Sequence, residues 1–175
     1  MAKENREDSY LGNRLLKPTN VPQPFTKHEV EEYVKCRDDI VYFLKSYVKV
    51  IHVDKGLIPF DLYDYQQDLI DTLHNNRYVI VKSARQSGKS VTSLGYILHY
   101  ILFNQTKIVG MLANKASTSR ELLGRLQTAY QHLPKFLQQG IVEWNKGNIE
   151  LENGSKIIAS STSSSAIRGY SFSLL

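Results

Sequence analysis

Tyr78-Val79-Ile80-Val81-Lys82-Ser83-Ala84-Arg85-Gln86-Ser87-Gly88-Lys89-Ser90 joins a short β-branched run to a polar turn and then to the start of an apolar helix. Four apolar residues without polar alternation predict a strand covered on both faces, as in a parallel sheet. The helix expected from Lys89 to Phe103 is apolar nearly all round, which predicts burial. Between them, Gly88-Lys89-Ser90 completes the tail of a nucleotide phosphate loop in the strand-turn-helix context that such a loop requires. Each residue type has a reason. Gly88 lets the backbone approach phosphate, and the helix start offers unpaired N–H groups at the positive end of its dipole. Lys89 is placed to reach β- and γ-phosphates, and Ser90 to put a hydroxyl on Mg²⁺. Ser83 stands where the usual pattern has its first glycine. The candidate nucleotide-binding residues are therefore Ser83, Ala84, Arg85, Gln86, Ser87, Gly88, Lys89 and Ser90, with ATP and Mg²⁺ as expected cofactors. A bare G-K-S alone would be weak support, because a capped helix with a solvated Lys and Ser has the same letters.

Arg85 is a bulky cation in a loop that usually holds small residues. One reading leaves it solvated at the rim; the other sets its charge against the γ-phosphate in the transition state. With Lys89 it makes the candidate catalytic pair. About twenty residues upstream stands Tyr65-Gln66, and a glutamine amide can both donate to and accept from an adenine edge. On the residues alone, a plain helix surface explains Gln66 equally well.

Outward from the loop, the pattern predicts an α/β chain. Toward the N-terminus, Thr26 and Glu29 form a capping-box pair, and Val30, Val34, Val41, Leu44, Val48 and Ile51 follow near helical period, predicting one long helix from about Lys27 to Val50. Gly56 and Pro59 punctuate a loop, and a second helix is expected from Tyr63 to His74. Residues 1–24 are polar and carry Pro18, Pro22 and Pro24, so they read as a loose arm. Toward the C-terminus, Lys107 to Ala113 reads as a second buried strand, giving a strand-helix-strand unit with residues 78–103. Thr118 and Glu121 suggest a capping box opening a helix through His132, which Pro134 stops. Ile141 to Trp144, Asn148 to Glu152 and Lys156 to Ser160 alternate as short strands, with Asn153-Gly154 as a hairpin turn. Residues 160–165 are all Ser or Thr, and after Arg168-Gly169 a new apolar run, Phe172 to Leu175, begins.

Composition narrows the rest. A chain of 175 residues with 42% hydrophobic and 22% charged residues is globular in character, not disordered. Its net charge of +5 is compatible with a polyanionic partner without requiring one. Cys36 is the only cysteine, which excludes an intrachain disulfide. The five histidines show no zinc-ligand spacing. Met1 to Tyr10 lacks the apolar core of a secretory signal, and the apolar run Leu94 to Phe103 falls well short of the roughly 18 residues that cross a bilayer.

The order Tyr65-Gln66, Ser83 to Ser90, Ala113-Asn114-Lys115, Ile141-Val142-Glu143-Trp144-Asn145-Lys146-Gly147 and Arg168-Gly169 resembles the large terminase subunit of T-even-like tailed phages, as does Cys36 to Phe43. The resemblance spans about Phe25 to Leu175, and the run around Trp144 is its most specific part, since no generic ATPase motif demands it. It implies a P-loop NTPase core of the helicase-like branch, with a parallel sheet flanked by helices, a helical N-terminal region and an antiparallel hairpin insertion. It also implies the ATPase part of a motor that packs double-stranded DNA into a procapsid. By the same resemblance, Lys89 and Ser90 take the phosphate and magnesium positions, Arg85 the loop arginine, and Gln66 the adenine-reading glutamine. Implied partners are DNA phosphates, a portal protein, a small terminase subunit and further copies in a ring, in the cytoplasm of an infected bacterial host. The acidic pair that holds Mg²⁺ and orients water, and the family's nuclease, are expected beyond Leu175, so residues 1–175 alone are expected to turn over little ATP. A helicase-like translocase, or a nucleotide-binding module without turnover, remains the alternative reading of the same residues.

Overall fold

The structure, a computed structural model, describes residues 9–52, 54–162 and 169–175. In chain order its elements are α1 (Lys27–Asp38), α2 (Ile40–Tyr47), β1 (Lys49–His52), β2 (Gly56–Pro59), α3 (Asp64–Asn75), α4 (Lys89–Phe103), β3 (Ile108–Ala113), α5 (Ala116–Gln131), β4 (Ile141–Trp144), β5 (Asn148–Leu151) and β6 (Lys156–Ser161). A 3₁₀ turn, Lys135–Leu137, lies between α5 and β4.

The long helix expected from Lys27 to Val50 is two helices broken at Asp39. The capping box at its start is present, Thr26 and Glu29 satisfying each other's backbone N–H groups. Asp39, with φ −129° and ψ 104°, leaves helical geometry, and its carboxylate accepts the Tyr42 N–H at 2.8 Å. An aspartate that can cap a new helix competes with continuing the old one. Glu32 fastens the two pieces together: it is 5% exposed and accepts Lys35 Nζ at 2.7 Å, Tyr42 Oη at 2.6 Å and Tyr47 Oη at 2.7 Å. The end of the expected helix, Lys49 and Val50, instead opens β1, which pairs antiparallel with β2 where only a loop was expected.

The main sheet has strand order β3-β6-β5-β4, with β3 and β6 parallel and the other two pairs antiparallel. The hairpin β5–β6 turns at Gly154, φ +80°, as its Asn-Gly dipeptide predicts. Helix α5 begins at Ala116 behind Lys115, two residues before the expected capping box, and no side chain caps it. Leu123, Leu126 and Tyr130 of α5 are fully buried with Val109 of β3 and Ile157 of β6. On α4, Leu98, Ile101 and Leu102 are buried with Phe43 and Leu44 of α2. Gly95 permits that approach, because a Cβ there would lie 2.8 Å from Leu44 Cδ2.

Both outer strands of this sheet have short neighbours. Leu174 forms a parallel bridge with Val109 and accepts the Gly110 N–H at 2.9 Å, so the apolar run after Gly169 lies along β3. At the other edge Pro18 bridges Ile141 in parallel, and the Ile141 N–H donates to Lys17 O at 2.9 Å. The segment read as a loose arm is therefore tied down over residues 9–20. Leu16 is 1% exposed, Gln138 donates to Leu15 O and accepts from Lys17 N, and Glu152 accepts from Asn20 N. Its prolines did not prevent docking, since a single bridge at a sheet edge needs no N–H from Pro18. Residues 1–8 of that arm lie outside the described residues.

Tyr78–Val81 is not a strand. Among the described residues it has no ladder partner, and Tyr78 is 83% and Ile80 98% exposed. The expected unit joining this run through α4 to β3 is thus absent. The parallel relation instead joins β3 to β6, across α5 and the β4–β5 pair.

Candidate functional site

Loop 83–88 runs from the exposed segment into α4. Its closing residue, Gly88, is the N-cap of α4 at φ +75°, ψ 3°, in the left-handed region that glycine enters without steric cost. Gln86 takes φ +62° without that freedom, a local strain on the order of 1 kcal/mol. Lys89 and Ser90 are then the first two residues of α4, beside N–H groups that lack helical carbonyl partners. Thr92 and Ser93 turn their hydroxyls back onto the Gly88 and Lys89 carbonyls, at 3.1 and 3.0 Å. Ser90 stays exposed.

The loop satisfies its own polar groups. Ser87 Oγ donates to Ala84 O at 2.9 Å, which leaves the Ser83 hydroxyl as donor in the 2.9 Å Ser83–Ser87 contact. Lys89 Nζ folds back to donate to Ala84 O at 3.3 Å. A partial negative oxygen thus holds the ammonium where a stronger anion could replace it, since charge-assisted bonds to an ionised acceptor are roughly twice as strong as those to neutral ones. Arg85 is exposed at the turn.

Helix α3 supports the loop from one side. Gln66 is 3% exposed; its Oε1 accepts the Tyr63 N–H at 3.0 Å, and its amide nitrogen lies against Gly88, where any Cβ would collide with it. Tyr65 Oη donates to Ser87 O at 2.8 Å, and its ring stacks on Tyr63 at 5.6 Å between centroids and 9° between planes. The structure therefore brings Gln66 to the loop, as the adenine reading needs, but gives its oxygen a first partner in Tyr63. Sequence reasoning missed Tyr63 and missed the role of the Tyr65 hydroxyl. Their only sequence signal was two tyrosines two positions apart at a helix start.

An open groove of about 310 Å³ adjoins the loop, with Val81, Lys89, Ser90, Ser93, Met111 and Leu175 among its walls. It is apolar toward the sheet and polar toward the start of α4. Among the described residues no group of three or more His, Cys, Asp or Glu side chains could hold a metal ion. Nor is any described helix long and apolar enough to cross a membrane. Arg168, part of the resemblance above, lies outside the described residues.

Residues 80–175, more than half of the chain, match the family described as terminase large subunit, T4likevirus-type, N-terminal. The match begins inside the exposed run at Ile80 and takes in loop 83–88, α4, β3, α5 and strands β4 to β6, while Tyr63, Tyr65 and Gln66 fall outside it. With the loop, its glycine cap and the mixed sheet in this order, the chain belongs to the family of N-terminal regions of T4-like terminase large subunits.

Proposed function

We propose that this chain is the nucleotide-binding part of a phage DNA-packaging motor, with ATP and Mg²⁺ held at residues 83–90 in a P-loop arrangement. One observation carries the reading within this family: Gly88, in a left-handed conformation, delivers Lys89 and Ser90 to the first turn of α4, with the Lys89 ammonium lodged on the Ala84 carbonyl. The cradle fits a phosphate group. The glycine keeps the backbone clear, and the helix start supplies unpaired N–H donors.

On this reading Lys89 exchanges Ala84 O for β- and γ-phosphate oxygens, Ser83 and Ser87 shape the loop, and Ala84 and Gln86 complete its backbone. Ser90, whose hydroxyl is exposed, is the side chain that would hold Mg²⁺. Bound magnesium would neutralise phosphate charge. Arg85 at the exposed turn is the group placed to meet transition-state charge. Gln66 reads adenine with its amide nitrogen and with the second lone pair of Oε1. The work driven by hydrolysis is packaging of double-stranded DNA into a procapsid, with contact to DNA phosphates and hence a steep salt dependence. On the same reading its partners are a portal protein, a small terminase subunit and further copies of the chain, in the host cytoplasm.

Calorimetric titration of ATP with Mg²⁺ into the chain and into its Lys89→Ala variant tests the assignment. Loss of a charged donor to phosphate should weaken binding by about 1.5 to 3 kcal/mol. Equal affinity in the two proteins would remove Lys89, and with it the loop, from the site.

A further inference from the structure

Helix α3 holds two consecutive residues of the loop: Ser87 through its carbonyl, which accepts the Tyr65 hydroxyl at 2.8 Å, and Gly88 through the Gln66 amide packed against it. We propose that Tyr65 is a positioning residue for phosphate binding, its hydroxyl locking the Ser87–Gly88 peptide in the orientation that keeps the Gly88 N–H available to an anion. The inference rests on the phosphate-loop reading above and deepens it.

The reasoning is geometric. Across a trans peptide the C=O and the following N–H point in opposite directions. Pulling Ser87 O toward Tyr65 therefore turns the Gly88 N–H away from α3. Glycine occupies both signs of φ almost equally, so at Gly88, φ +75°, the peptide can rotate through half a turn at little steric cost. Rotation would present the Ser87 carbonyl oxygen, a repulsive dipole, where a phosphate oxygen would sit. With no Cβ to favour either sign of φ, the glycine leaves the choice of peptide orientation to an outside restraint. Tyr65 supplies it, and its own ring is braced by the near-parallel stack on Tyr63. The ring is half exposed, so its hydroxyl adds little to global stability. What it biases is the population of one loop conformer.

The experiment uses the whole chain and three proteins, the parent, Tyr65→Phe and Lys89→Ala, each titrated with ATP and with inorganic tripolyphosphate in Mg²⁺, alongside thermal melts. Tyr65→Phe keeps the stacked ring and removes only the hydroxyl. It should melt with the parent and bind both ligands about two- to tenfold more weakly, the range spanned by one hydrogen bond. Weakening confined to ATP would overturn the proposal by making Tyr65 a contact to the base. Unchanged binding of both ligands, or weakening that merely follows a lower melting temperature, would overturn it as well. Failure of the underlying reading shows elsewhere: tripolyphosphate would then bind the parent and Lys89→Ala alike, or neither.

Discussion

Gln66 of α3 and Gly88 at the head of α4 are fitted closely: a Cβ at position 88 would collide with the Gln66 amide nitrogen and force that buried side chain to shift. Twenty-two residues apart, they join the start of one helix to the start of the next. The contact accounts for a buried glutamine whose neighbours Tyr63 and Tyr65 are exposed.

This pair yields a prediction that separates two costs. Gly88→Ala should lose stability from the left-handed φ, about 1 to 2 kcal/mol, and in addition from collision with Gln66. Gly88→Ala combined with Gln66→Ala removes the collision and keeps the φ penalty. Urea denaturation of both single variants and the double should therefore give a smaller total loss than the two singles added, whereas strict additivity would deny that the residues touch.

Ser90 is expected to act through magnesium. Ser90→Ala should weaken ATP binding in the presence of Mg²⁺ and leave binding in EDTA nearly unchanged, because on the proposed reading only the metal uses the hydroxyl. Equal losses in both buffers would make Ser90 a helix-start residue and nothing more.

Acid should act on two buried groups in succession, His99 first and Glu32 at lower pH. His99 Nε2 donates to the Cys36 carbonyl at 2.9 Å, and burial among Phe43 and Phe103 pushes its pKa down to about 4 from 6.5. The unfolded chain then binds more protons than the folded one between those values, so stability falls as pH drops from about 6.5 to 4, by on the order of 3 kcal/mol in all. Hydrogen bonds from Lys35, Tyr42 and Tyr47 lower Glu32 from 4.5 to about 2. Its contribution is whole above pH 4.5 and disappears toward pH 2. Urea midpoints measured from pH 7 to 5 should therefore decline in the parent and much less in His99→Gln; a flat parent profile would contradict the burial of a neutral His99.

Docking of the N-terminal segment is measurable through Leu16. A leucine 1% exposed should cost about 2 to 5 kcal/mol when cut to alanine. Leu15→Ala, at a side chain 48% exposed, should cost well under 1 kcal/mol. Were residues 9–20 loose, the two variants would unfold alike.

Local patterns in the sequence determined several parts of this protein. Thr26 and Glu29, bonded reciprocally across a four-residue span, mark the start of α1 wherever that helix packs; Asn153-Gly154 marks its hairpin turn by local preference, which the Asn153 amide then anchors to the end of α4; and Gly88-Lys89-Ser90 at the head of an apolar run places the candidate site at the start of α4. Tertiary structure decided the elements that depend on a partner far along the chain. Tyr78 to Val81 has the composition of a buried strand, yet a strand exists only through the ladder beside it, and nothing among the described residues supplies one. Lys49 and Val50 read as the end of a helix, yet with Ile51 and His52 they pair along the hydrogen-bonding edge that Gly56 to Pro59 offers. The arm read as loose because its few apolar residues are dispersed among polar ones and prolines, and one of them, Leu16, found a buried place beside β4. Nor did any spacing rule announce that Tyr65 would reach Ser87: that bond depends on the angle at which α3 meets the loop, and packing sets that angle.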